Sequence, residues 1–208
     1  AGFAATGTPG WASAEIDLTQ PVETLRKKLR ADWRNKLRKA ERAELKVRSD
    51  DAACFDEFVI AYDRFLADRG FSTTVTPALL RSLQSLLPAE TRMRAFLTGG
   101  EDALLGAALI ARTGGRAEYL AGFVEEEGRA TGTGQILLWR AMIDMRERGV
   151  TRFDVGGMDP DLTPRGIYDF KNGMGGTAYR LAAEREAGGD GLLGRLVRWR
   201  VSGARSAA

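Results

Sequence analysis

The sequence has no histidine in 208 residues. That excludes Ser-His-Asp and Cys-His machinery and every His-ligated metal site, and no metal is expected. There is one cysteine, Cys54. An intrachain disulfide is impossible, and a cytoplasmic setting fits. Cys54 shares an apolar helical face with Phe55 and Phe58, so it reads as core rather than nucleophile. No apolar run is long enough to cross a bilayer. No signal peptide is recognisable, although the chain starts at Ala1 without Met. Residues 1–15 read as a flexible lead-in or a trimmed edge.

What is present is an ordinary globular composition, 44% hydrophobic and 28% charged. The net charge of +3 is unevenly placed. Residues 26–48 hold eleven Lys or Arg against three acids. Arg195, Arg198, Arg200 and Arg205 close the chain without an acid among them. Such asymmetry suggests anionic partners: phosphates, RNA or a membrane surface.

Thr19-Gln20-Pro21 reads as a helix start, with Thr19 as cap and Pro21 at the first helical position. Val22, Leu25, Leu29, Trp33, Leu37 and Ala40 then form one apolar stripe. Basic residues fill the opposite faces. They are either a solvated surface or, around Trp33-Arg34-Asn35, a phosphate-recognising one. A short strand over 45–48 and helices over 51–69 and 77–87 follow. Three strands are expected over 92–98, 104–112 and 116–121, joined by glycine turns. A polar, glycine-rich loop over 125–134 leads into a helix over 135–148. A strand over 152–155, a long loop and a strand over 178–182 come next. After a glycine linker, residues 192–201 read as a last amphipathic basic helix. The order is that of an α+β domain with a mixed sheet.

Residues 153–179 concentrate the unusual features. Gly156 and Gly157 end a strand, and Lys171 sits between Phe170 and the glycines Gly173, Gly175 and Gly176. Paired glycines let a ligand approach the backbone closely. A lysine beside them can aim a cation and free N–H groups at an anion or developing oxyanion. The alternative is a plain glycine loop with a solvated lysine.

Three motifs carry a family resemblance. Arg129-Ala130-Thr131-Gly132-Thr133-Gly134 resembles the acyl-donor loop of GNAT acyltransferases, R/Q-x-x-G-x-G/A. Trp33-Arg34-Asn35-Lys36-Leu37-Arg38-Lys39-Ala40-Glu41 resembles a segment of the FemABX-like branch. Phe153-Asp154-Val155-Gly156-Gly157, with Gly166-Ile167-Tyr168-Asp169-Phe170-Lys171-Asn172-Gly173-Met174-Gly175-Gly176, resembles that branch's "DxGG…GIYxFKxGFGG" signature. Met174 replaces the usual Phe.

The resemblance implies a single GNAT-like domain over 16–187, matching the second of the two halves of typical members, with a mostly antiparallel sheet flanked by helices. Residues 188–208 would add the linker and basic helix. It implies an acyltransferase that moves an aminoacyl group from aminoacyl-tRNA, or an acyl group from acyl-CoA, to an amine of a peptide or phosphorylated cell-wall precursor. No permanently bound cofactor is implied. Lys171 would stabilise transition-state charge or bind the tRNA's terminal ribose, with Phe170 positioning it. Asp154, Asp159, Asp169 and Tyr168 would orient or deprotonate the amine, and Asp154 could instead cap the glycine turn. Arg34, Asn35, Arg38 and Lys39 would hold substrate phosphate. Arg129, Gly132, Gly134, Gly156, Gly157 and Gly175 would shape the donor site. The C-terminal helix suggests peripheral contact with the inner face of a membrane. The rival readings are an acyl-CoA-dependent N-acyltransferase of a small amine, and a non-catalytic module binding RNA or an anionic surface.

Overall fold

Seven strands form one twisted sheet in the computed structural model, which describes residues 3–49, 52–70, 73–100 and 103–187. In chain order the elements are β1 (Phe3–Ala5), β2 (Ala12–Asp17), α1 (Val22–Lys28), α2 (Ala31–Arg42), β3 (Val47–Arg48), α3 (Ala52–Arg69) and α4 (Pro77–Leu86). Then come β4 (Arg94–Gly99), β5 (Leu104–Thr113), β6 (Arg116–Val124), α5 (Glu126–Arg129), α6 (Thr133–Glu147), β7 (Arg152–Asp154), α7 (Arg165–Asn172), β8 (Thr177–Arg180) and β9 (Arg185–Ala187). The sheet order is β3-β4-β5-β6-β7-β2-β8, and β1 pairs separately with β9. Every pairing is antiparallel except β6 with β7. That exception follows from the chain: α6 crosses over between β6 and β7, and such crossovers return the chain parallel.

The strands alternate their side chains between two cores, as the pleat requires. In β4, Phe96 packs with Trp33, Leu37 and Ala40 of α2 and with Ile136, Leu137 and Ala141 of α6. Ala95 and Leu97 face the other way, onto Phe55, Phe58, Val59 and Tyr62 of α3 and Leu80 of α4. Each such large side chain, fully buried, stabilises the fold by roughly 1.5–3 kcal/mol. Cys54 lies buried in the second core, as a small apolar residue.

Several expectations need correcting. The lead-in expected over residues 1–15 fails from Ala12 onward. Ala12, Ala14 and Ile16 are buried, and β2 lies inside the sheet between β7 and β8. Its small, weakly hydrophobic residues gave no strong strand pattern. The single helix expected from Val22 to Ala40 is two helices. Leu29 and Arg30 are extended (ψ 137° and 152°), and Arg30 N–H donates to Gly173 O. Thr19 does not cap α1, whose cap position is Pro21. Thr19 is held instead by Asp17, which accepts from both its N–H and its hydroxyl. The segment around Ile167–Lys171 is a helix, α7. The basic helix expected over 192–201 lies outside the described residues. Among the described residues no helix is long and apolar enough to cross a membrane.

Candidate active site

The site is built where two parallel strands part. β6 and β7 stay in register for three pairs, ending at Glu118 with Asp154. Beyond that pair, β6 continues along β5 to Val124. The chain after β7 stays with β2 instead: Val155 N–H donates to Ala14 O and Met158 N–H to Ala12 O. Gly156, in the left-handed region at φ 72°, makes this departure. A Cβ there would lie 2.4 Å from Tyr119 O, so only glycine lets the turn pass so close to β6.

Lys171 enters this gap from α7. Its Nζ donates to Gly157 O at 2.9 Å and sits 5.4 Å from the centre of the Tyr119 ring. Burial pushes its pKa down to about 8, against the pull of Asp154 and Glu118, which favour the cation. One N–H is used by Gly157, and an ammonium has three to offer. The lysine is thus a partly buried cation with donors to spare, which suits a developing oxyanion.

The donor-like loop stands at the N-terminus of α6, beyond the end of β6. Gly132 is the left-handed cap residue (φ 83°), and a Cβ there would sit 2.3 Å from Lys36 O. Gly134 faces the Phe170 ring, 3.2 Å from where its Cβ would be. Phe170 also packs 6.1 Å from Trp33, ring centre to ring centre. The buried indole N–H of Trp33 has no acceptor among the described residues. One helix, α7, therefore touches the loop through Phe170 and the glycine turn through Lys171.

Residues 27–172 match the family model of the acetyltransferase (GNAT) domain. The chain belongs to the GNAT family. It is accordingly an acyltransferase, and its fold is that of FemX: the crystal structure of FemX superposes with a TM-score of 0.78 at 16% identity, covering 95% of this chain and 68% of that one. A conserved protein of unknown function from Bacteroides thetaiotaomicron superposes at 0.61, with 9% identity over 88% and 60% of the two chains. The C-terminal domain of a putative lysylphosphatidylglycerol synthetase from Agrobacterium fabrum superposes at 0.57, with 16% identity over 92% and 64%. The chain thus spans less than two thirds of the latter two. No curated protein sequence matches it.

Within this GNAT frame, Asp154 is a carboxylate with three hydrogen-bond partners at the parting of the strands. Oδ2 accepts from Tyr179 Oη at 2.5 Å, and Oδ1 accepts from Gly156 N–H at 2.8 Å. The buried Ser13 hydroxyl lies 2.5 Å from Oδ1 and 2.8 Å from Gly156 O. Asp154 therefore does cap the glycine turn. Glu118 beside it was not picked out from the sequence; alternation along β6 offered only a faint signal. Ser13, Tyr119 and Tyr179 were missed as well. Ser13 was hidden in the supposed lead-in.

Other expected site residues are spent elsewhere. Asp159 accepts from Asp161 and Leu162 N–H and from Arg180, so it shapes the 159–163 turn. Asp169 pairs with Arg165 at 2.7 Å; two residues from Lys171 on a helix, it points about 200° away. Tyr168 packs against the first core. Arg34 donates to Lys27 O and Leu29 O, satisfying carbonyls at the end of α1 rather than standing free for a phosphate. Arg38 donates to Asn35 on the exposed face of α2. Lys39 donates to Ala130 O at 2.8 Å and ties α2 to the donor-like loop. Arg129 is exposed at the end of α5. Gly157 lies against the Trp11 ring, and Gly175 against Lys28 O. The basic helix is thus largely a structural clamp, with Arg38 and Lys39 at its outer surface.

Proposed function

We propose that the chain transfers an aminoacyl group from aminoacyl-tRNA to an amine of a peptide or cell-wall-precursor-like acceptor. The observation that carries this reading is the placement of Lys171. A partly buried ammonium stands at the parting of β6 and β7 and is tied by α7 to the loop before α6. Attack of an amine on an ester needs stabilisation of the tetrahedral oxyanion and no covalent enzyme intermediate. A chain without histidine or an available cysteine nucleophile suits that direct route. Likeness of fold to FemX favours the aminoacyl donor. The basic outer face of α2, with Arg38, Lys39 and Arg42 exposed, gives a nucleic-acid phosphate somewhere to rest.

A second reading keeps the chemistry and changes the donor to an acyl-CoA thioester. The match to the acetyltransferase domain model favours it. So does the α6 N-terminus, whose dipole faces anions well. Incubation with alanyl-tRNA or with acetyl-CoA, each with lysine-containing peptides, separates the two by the mass added to the acceptor. Transfer from the tRNA alone supports the first reading, and transfer from acetyl-CoA alone the second. With neither donor active across a broad amine panel, both donor readings fail.

A further inference from the structure

Trp11 is 51% exposed, yet its backbone is tightly held. Its carbonyl accepts from Leu181 N–H at 2.8 Å, and the next carbonyl, of Ala12, accepts from Met158 N–H at 2.8 Å. Arg180 donates to the carbonyl before it, of Gly10, and also to Asp159. The chain is thus clamped on both flanks as it enters β2. The indole belongs to neither core. It lies over Gly157 instead: a Cβ there would stand 2.9 Å from Cη2 and 3.3 Å and 3.4 Å from Cζ2 and Cζ3. Side chains alternate along an extended chain, so Trp11 shares a side with Ser13. The Ser13 hydroxyl, 2.8 Å from Gly156 O, holds the first glycine of the turn, and Trp11 covers the second. Gly157 has no side chain of its own to fix it, and glycine has the freest backbone. Its carbonyl takes the Lys171 ammonium at 2.9 Å.

We propose that Trp11 is a positioning residue for the transfer: its indole, set over Gly157, fixes the carbonyl that seats Lys171, and so sets where the cation stands. This rests on the role given to Lys171 above and adds to it a residue outside the three motifs. The line of contacts is short: indole on Gly157, Gly157 O on the ammonium. Without the ring the Gly157 peptide is free to rotate. Its carbonyl then no longer points at Nζ, and the lysine side chain loses the contact that holds it in the gap. Water reaches the ammonium more easily, and the burial that pushes its pKa down to about 8 weakens. A reacting group displaced by about 1 Å can cost on the order of 10²-fold in rate. A cation that is loosened rather than removed loses less than that. Both cores stay whole without the indole, so the effect is local to the turn.

The test uses the full chain labelled at its lysine side-chain nitrogens, with Lys171 assigned from the K171M spectrum. Trp11→Ala should keep the wild-type circular dichroism, and its Lys171 should titrate above about 8, towards the ordinary 10.5. Trp11→Phe keeps a ring over the turn and should restore the wild-type titration. Gly157→Ala puts a methyl group where the indole stands. Alone, it should move the Lys171 titration as Trp11→Ala does. Added to Trp11→Ala it should change little more, because both substitutions break one contact. With a donor and amine that the wild type turns over, Trp11→Ala should lose kcat about 10-fold or more with donor KM little changed, and Trp11→Phe should recover most of the loss. A Lys171 that titrates in Trp11→Ala as in the wild type overturns the proposal, and so do equal losses in Trp11→Ala and Trp11→Phe. If Trp11→Ala does not fold, Gly157→Ala decides: an unmoved Lys171 titration overturns the proposal, and a raised one supports it. If Trp11→Ala moves the titration while K171M keeps the wild-type kcat, the seating of the lysine stands and its catalytic role falls.

Discussion

Lys171 Nζ lies 2.9 Å from the carbonyl oxygen of Gly157, the second glycine of the turn that follows β7. This contact fixes where the cation stands. Gly156 brings the turn against β6, Asp154 holds Gly156 by its N–H, and Gly157 then offers its carbonyl to the lysine. The Tyr119 ring, 5.4 Å from the ammonium, adds a π-face on the β6 side.

Lys171→Met tests that placement. Methionine keeps much of the stem's apolar bulk and removes the charge. A transition-state role predicts a fall in kcat on the order of 10²-fold or more with little change in donor KM. Stability should hold or rise, because a partly buried cation is removed. A raised KM at unchanged kcat would reassign the lysine to donor binding.

The pH dependence follows from the pKa of about 8. If the ammonium is the working form, kcat should decline as pH rises through about 8, and K171M should lack that limb. Stability moves the other way. The folded pKa lies below the ordinary 10.5, so the cost of a buried cation is fully present below about pH 8 and fades as pH rises towards 10.5. Urea midpoints of wild type relative to K171M should therefore climb across that window. A Lys171 ammonium that titrates near 10.5 by nitrogen NMR defeats both expectations.

The two loop glycines should behave differently. Gly132→Ala meets Lys36 O at 2.3 Å with a left-handed backbone, so it should destabilise the fold by about 2–4 kcal/mol, strain and overpacking together. Gly134→Ala lies inside α6 and needs only a small shift of the Phe170 ring, so its stability should stay within about 1 kcal/mol of wild type. Chemical denaturation checks both. Donor affinity is best read in Gly134→Ala, where misfolding does not confuse it.

Much of this was legible in the sequence. Periodicity placed α3, α4, α6 and the β4–β6 meander within a few residues, because long apolar repeats and glycine turns are local signals. The signature around Lys171 led to the gap itself. What escaped were features that exist only in three dimensions. Ser13 and β2 matter because β7 and β8 pair on either side of them, not because Ala12–Asp17 is strongly hydrophobic. Arg34 looks like a phosphate ligand until α1 ends at Lys28 and α2 resumes the stripe at Trp33, leaving carbonyls that need a donor. Gly132 and Gly175 look like ligand-facing glycines, and the structure uses them to seat the backbones of α2 and α1. Glu118 matters through its parallel register with Asp154, thirty-six positions away, which no local pattern announces.

The network around Asp154 gives the last prediction. Tyr179 donates to Asp154, and burial together with that carboxylate pushes its pKa from the ordinary 10.0 up to about 12. A folded pKa above the unfolded one contributes stability that is complete below about pH 10 and is lost as pH rises towards 12. Tyr62 and Tyr119 are shifted in the same direction, so the wild type must be compared with Tyr179→Phe and not read alone. Any stability advantage of wild type over Y179F should shrink between pH 10 and 12. In Asp154→Asn, Tyr179 should titrate closer to 10, and the fold should lose about 1–3 kcal/mol as the hydroxyls of Tyr179 and Ser13 lose their charged acceptor. Its kcat should fall too, because the Gly156–Gly157 turn is what seats Lys171. Carbon NMR of the labelled tyrosine ring reports the titration directly. A Tyr179 that ionises near pH 10 in the wild type would show that the carboxylate neither holds its hydroxyl nor braces the turn.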